Sequence, residues 1–322
     1  MEEAMKVNPV YQKELKTSVR SMRTAILLFG YNGLLALFGL FAFYVTFEYN
    51  SKYGGTVDYS DILQVYSIIT ILEFGLVLFA VPAFTSASIS GERERQTLEI
   101  LLTTKLTPFQ IIFGKLASSI SRILLLAFSS LPVLALTFSV GGITFKHMLE
   151  FMVLIIVTAV FIGSIGIFFS TLFKKTTVAT VATYGALLLI GIGTLLLLNG
   201  ITTLKGLYLN RFLETNGIKK LPDTGNLVYI LLVNPIVSCF SMIENQIGTA
   251  SNLIRFFDNY GAISIRYHDR WFLLSMSVQL VISAFLISCS SYLLNPLRKH
   301  RSVRRSKGAK KRVKDSNNSQ ST

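Results

Sequence analysis

The chain has 322 residues, 51% of them hydrophobic and only 15% charged, with a mean hydropathy of +0.55. These proportions exclude a soluble globular domain of this length and point to an all-α integral membrane protein. The net charge of +14 would suit a nucleic-acid partner if the basic residues were spread over a folded surface, but ten of the 31 Lys and Arg are packed into Arg298–Lys314. That placement argues against nucleic acid and favours the headgroups of membrane lipids.

In chain order, residues 1–23 predict a cytoplasmic amphipathic helix, with Asn8 as N-cap and Pro9 as its first residue. Tyr11, Leu15, Val19 and Met22 fall within roughly 80° of one another on a 3.6-residue wheel. Lys13, Lys16, Arg20 and Arg23 lie opposite, so this helix is expected to rest in the membrane interface. Thr24–Phe47 carries no charge over 24 residues and is the first span. The second, Ile62–Ile89, contains Glu73, the one carboxylate well inside an apolar segment. Such an acid is either a functional site or a hydrogen-bonding tie between helices. Pro82 predicts a kink near the end of this span.

Ser90–Lys115, SGERERQTLEILLTTKLTPFQIIFGK, is a charged interruption of 26 residues between segments that each cross a bilayer, so it lies in water beside the membrane. Leu98, Leu101 and Leu102 recur at helical spacing on an arc of roughly 100°, which predicts an apolar face that enters a groove in a soluble partner. Glu94, Arg95 and Gln96 are read as the polar start of that helix. Thr107-Pro108 predicts a second start, with Thr as N-cap.

Leu116–Val140 is the third span, in which Arg122 snorkels toward the surface and Pro132 introduces a bend. Phe151–Phe173 is the fourth, and its Gly163 and Gly166 allow close helix approach. Lys174-Lys175 precedes the fifth, Thr176–Leu204. In the long connection that follows, Thr224–Ile243 is apolar, but Asn234-Pro235 splits it into pieces of roughly seven or eight residues, each about 11 Å as helix and too short to cross. A re-entrant or outer-leaflet helical hairpin is expected there. The sixth span is Trp271–Leu297, with Trp271 placed at the outer interface, and residues 298–322 form a basic, disordered tail. Six spans put 22 basic residues on the side of the termini and of the 90–115 loop. The two short loops opposite hold one each, Lys52 and Lys146, the asymmetry that places both termini in the cytoplasm.

No GxxxxGK[ST] loop, HExxH or GxSxG occurs, and His147, His268 and His300 are far apart in sequence. The chain is therefore not expected to be an enzyme. Cys239 and Cys289 show no metal-ligand spacing and sit in apolar surroundings, so neither a metal site nor a disulfide framework is predicted.

The segment GERERQTLEILLTTKLTPFQIIFGK resembles the cytoplasmic loop of ABC-transporter permeases of the type-two export class, where GE+E.GTLE.LL.T..S...II.GK recurs. Gly91, Glu92, Glu94, Thr97, Leu98, Glu99, Leu101, Leu102, Thr103 and Lys115 fall in place. Gln96 stands where the pattern has Gly, a departure expected to cost little because Gln favours helix. The opening Asn8-Pro9 to Lys13-Glu14-Leu15 resembles that family's connecting helix, and Asn234-Pro235 resembles the hairpin that closes the outer end of its pathway. The resemblance implies a coupling helix seated on a separate ATPase subunit, which holds ATP and Mg, so that no cofactor belongs to this chain. It also implies an exporter in the cell (plasma) membrane, working as a homodimer or as a heterodimer with a related permease. Two alternatives stand beside it: an ion-coupled secondary transporter that uses Glu73, and a membrane scaffold or sensor partnered with an ATPase.

Overall fold

The structure, a computed structural model, describes residues 9–19, 21–52, 59–139, 144–213, 225–247 and 270–295. Among these residues there is no strand, and six helices are long and apolar enough to cross a membrane. Helix α1 (Pro9–Val19) precedes α2 (Met22–Lys52) and α3 (Tyr59–Thr85). Two short helices follow, α4 (Ser90–Glu94) and α5 (Leu98–Leu102), then α6 (Pro108–Ser139) and α7 (Phe145–Leu172). Helices α8 (Thr176–Leu188) and α9 (Thr194–Leu213) run on from each other through a π turn at Leu189–Gly193. A 3₁₀ helix (Gly225–Val233) and α10 (Pro235–Ile247) meet at 93°, and α11 (Trp271–Leu294) completes the described chain. The protein is an all-α, multi-pass membrane protein.

Helix α7 is the centre of the bundle. Phe151, Leu154, Ile155, Ala159, Phe161 and Ile162 are all buried, and α3, α6, α8 and α11 pack around them. Two glycines make that approach close. A β-carbon on Gly166 would lie 2.1 Å from Thr85 Oγ1, and one on Gly163 would lie 2.9 Å from Leu116 Cδ1. Small residues of this kind supply van der Waals contact where lipid gives helices no hydrophobic reason to associate. Helix α2, by contrast, turns Phe29, Leu37, Phe41 and Tyr44 outward, as a lipid-facing surface requires.

The apolar stretch before the last span is broken by a bend of 93°. Its two arms are 9 and 13 residues long, somewhat longer than expected, and they break at Asn234. Beneath the hairpin, Trp271 is fully buried, with its ring stacked on Tyr229 at 6.5 Å. It is thus a core residue of the hairpin and not the interfacial anchor expected from its position at a span end. The polar loop is also shorter than the sequence suggests. Because α6 starts at Pro108, the last eight residues of 90–115 are already the first two turns of the third spanning helix.

Candidate functional site: the segment between the second and third spans

The segment is built from two turns of helix and a tight reversal between them. Helix α4 ends at Glu94, and Gln96 adopts a left-handed conformation with φ of 61°. The Thr97 amide then donates to the Glu92 carbonyl at 2.9 Å and the Gln96 amide to the Arg93 carbonyl at 3.2 Å. This pair of bonds is the Schellman closure of a helix C-terminus, which is most often completed by glycine. The expectation that Gln96 is a favourable helix residue is therefore corrected. It occupies a left-handed backbone position, where an L side chain is strained, which explains the glycine of the family pattern.

Helix α5 follows, and its leucines do not stand free. Leu98 is buried, and Leu101 and Leu102 are half-buried against a cluster containing Ile89, Ile111, Ile112, Leu116, Ile167 and Leu294. Of the arc read from the sequence as a face for a partner, Leu98 is covered by the protein's own bundle and Leu101 and Leu102 are covered in part. The outward side of α5 carries Glu99, Ile100 and Thr103, with Ile100 69% exposed. Thr103 and Thr104 turn their hydroxyls back onto the carbonyls of Ile100 and Leu101, at 2.7 and 2.6 Å, and end the helix. At the next start the Thr107 hydroxyl accepts the Gln110 amide, while the Gln110 side chain accepts the Thr107 amide. This capping box fixes the first turn of α6.

Lys115 gathers the pieces. Its side chain is 4% exposed, and its ammonium meets Glu14 Oε1 at 2.9 Å and Glu92 Oε1 at 2.7 Å. The other oxygen of Glu14 accepts the Ser118 hydroxyl. A buried ammonium needs this much compensation, and here it comes from two different helices. One lysine on α6 therefore ties down both α1 and α4. Of the expected interfacial-helix residues, Tyr11 is half-buried and shares a 3.1 Å hydrogen bond with Ser121. Leu15 is also half-buried, while Lys13 and Lys16 face outward. The side chain of Val19, together with Arg20 and residues 298–322, lies outside the described residues.

Two neighbouring charges on α4 hold the turn between α7 and α8. The Arg93 guanidinium donates to the carbonyls of Phe173 at 3.0 Å and Thr171 at 3.1 Å, the negative end of α7. Glu94 accepts the backbone amide of Thr176 at 2.8 Å and its hydroxyl at 2.9 Å, at the positive end of α8. Those bonds, the amide first, hold the Glu94 carboxyl below the usual carboxylate range. The amides of Ile89 and Ser90 both donate to Ser170 Oγ, closing the seam. Gly91 is not forced by crowding here, since an added methyl would meet only Thr176 Cγ2 at 3.6 Å. Thr97 is exposed, and its hydroxyl bonds the Glu92 carbonyl.

Sequence reading missed Glu14, Arg93 and Thr176 as working residues. Glu14 had a signal, as the central residue of Lys13-Glu14-Leu15, and Arg93 had one as the basic position of the family pattern, while Thr176 had none. The remaining candidates lie away from the loop. Glu73 is fully buried, accepts the Ser130 hydroxyl on α6 and adjoins Tyr31 on α2. Asn234 caps α10 through the amides of Ile236 and Val237 and is fully buried, and Pro235 begins that helix. Among the described residues no group of His, Cys, Asp or Glu is placed to hold a metal ion.

A family model described as ABC-2 family transporter protein matches residues 8–293. The chain belongs to the ABC-2 transporter family. No curated protein matches it. As an ABC-2 permease it is a membrane component of an ABC transporter, and its matched region runs from the residue before α1 to the last turn of α11. The Glu14–Lys115–Glu92 node thus brings together residues from two of the three stretches whose likeness to such permeases was read from the sequence.

Proposed function

We propose that this permease forms one half of a two-fold pathway, homodimeric or paired with a related permease, that exports its substrate across the plasma membrane under the drive of a separate ATPase subunit. The ATPase, which binds ATP and Mg, seats against the outward face of α5, on Glu99, Ile100 and Thr103, with both termini of the permease on the same cytoplasmic side. The observation that carries this reading is the Lys115 node together with the Arg93 and Glu94 clamps. A force on α5 and α4 reaches α1, α6, α7 and α8 through hydrogen bonds and ion pairs, with no long flexible link between. Such a contact transmits work only where it differs in energy between two states of the ATPase, so the rigidity of the permease side is the property required.

The buried position of Glu73 between α2, α3 and α6 suits a tie between helices better than an ion site open to water. The test is co-purification and vesicle transport with a candidate ABC ATPase. Ile100→Asp is expected to abolish both association and ATP-dependent flux while leaving the folded bundle intact, and Glu73→Gln is expected to leave ATP dependence unchanged. Transport that continues without ATP and is lost in Glu73→Gln would replace this reading with the ion-coupled one. ATP hydrolysis by the complex without movement of any solute would favour the scaffold.

A further inference from the structure

On the face of the bundle that carries α1 and α4, a cleft of about 940 Å³ opens between α1, α2, α3 and α6. Its lining is mixed. Lys13, Thr17 and Arg95 are exposed and form its mouth, and Leu27, Leu125 and Leu126 make an apolar wall. Leu126 is buried while Leu27 is exposed, so the wall runs from the bundle to its outer surface. Arg122 follows Ser121, whose hydroxyl shares a hydrogen bond with Tyr11 of α1. The guanidinium rests over the Phe84 ring at 5.0 Å, and its hydrogen bonds, to the Ser118 carbonyl at 3.4 Å and Ser119 Oγ at 3.3 Å, are long.

The charges in this cleft are unevenly used. Glu14 gives both oxygens to Lys115 and Ser118, Glu94 gives both to Thr176, and Glu92 gives one to Lys115. Lys13, Arg95 and Arg122 have no carboxylate in ion-pair contact among the described residues, although the Glu14 carboxylate, already shared with Lys115 and Ser118, lies near enough to Arg122 to act on its charge. The second oxygen of Glu92 is buried without a partner. A ligand that completes the site therefore has a phosphate for the arginine fork and a hydrocarbon part for the leucine wall.

We propose that this cleft binds a phospholipid of the adjacent leaflet, with its phosphodiester on Arg122 and Lys13 and the start of an acyl chain along Leu27, Leu125 and Leu126. The chemistry of the mouth alone would also take a free phosphate, and the leucine wall is what selects the lipid.

The test uses the full-length permease in neutral detergent, titrated with a fluorescent phosphatidylglycerol, with retained lipid counted by native mass spectrometry. Arg122→Gln is expected to weaken binding about tenfold, the loss of one charge-assisted contact, with partial recovery in Arg122→Lys. Leu125→Trp, which fills the wall and leaves every charge in place, is expected to weaken it comparably, and Lys146→Gln, outside this cleft, is expected to change nothing. If Arg122→Gln does not fold, Leu125→Trp decides alone. Unchanged binding in the folded cleft variants would overturn the proposal. So would displacement of the lipid by an equal concentration of inorganic phosphate.

Discussion

The side-chain amide of Asn234 donates to the carbonyl of Gly191 across 2.8 Å, joining the corner of the bent hairpin to the π turn between α8 and α9. The same amide reaches Thr194 Oγ1 at 2.9 Å, while Oδ1 caps α10. Contact is close enough that a β-carbon on Gly191 would sit 2.9 Å from Ile236 Cδ1. Asn234→Ala removes the cap and both cross-ties from a buried position, and is expected to cost about 2 to 3 kcal/mol. Asn234→Asp keeps the cap but sets a buried carboxylate oxygen against the Gly191 carbonyl, and should cost more than Asn234→Ala. Thermal unfolding in detergent orders the three proteins.

Lys115→Met is expected to leave Glu14 and Glu92 facing each other without a counter-ion, at a cost of about 2 to 3 kcal/mol, because breaking one side of a buried pair strands the other. Since both carboxylates are nearly a third exposed, water relieves part of the loss. The diagnostic result is early proteolysis of α1 at temperatures where the bundle persists. In a double-mutant cycle with Glu14→Gln, the two changes should be far from additive.

Leu98 and Ile100 separate folding from docking. Leu98→Ala opens a cavity under α5 and is expected to destabilise by about 2 to 3 kcal/mol. Ile100→Ala, at an exposed site, should leave the melting temperature unchanged. A melt of each variant without any partner is sufficient to check this.

Gln96→Gly should stabilise the segment by about 1 kcal/mol, because it relieves a left-handed L residue by more than it adds backbone freedom. Hydrogen exchange at the Thr97 amide, the closing bond of the turn, should slow in the variant.

The Glu94 clamp is expected to depend on acidity in one direction. Its carboxyl is depressed in the folded protein by the Thr176 bonds, so the clamp is complete above the ordinary carboxylate range and opens as pH falls through the lowered value. Protection of the Thr176 amide, its exchange compared with the intrinsic rate at the same pH, should fall on acidification, and Glu94→Gln should remove that pH dependence.

The spans were legible because a bilayer demands long uncharged runs, and the bend before the last span because Asn-Pro interrupts one of them. What burial does with an amphipathic face was not legible. Leu98, Leu101 and Leu102 announce an apolar stripe, but periodicity does not say whether a partner or the chain's own α6 covers it. Gln96 was misread for a related reason, since helix propensity averages over ordinary backbone while the Schellman turn sets an exceptional φ. The ion pair between Glu14 and Lys115 joins residues 101 positions apart, and no local pattern places them together. Trp271 looked interfacial only because its cover, the hairpin, comes from elsewhere in the chain.

Arg93 and Glu94 grip opposite poles of two consecutive helices, so the junction they form is keyed like a polarised plug. Exchanging the two residues would conserve composition, length and net charge, yet it would press each pole against its own sign. The order of two adjacent letters thus determines whether the inner ends of α7 and α8 are fastened or pushed apart.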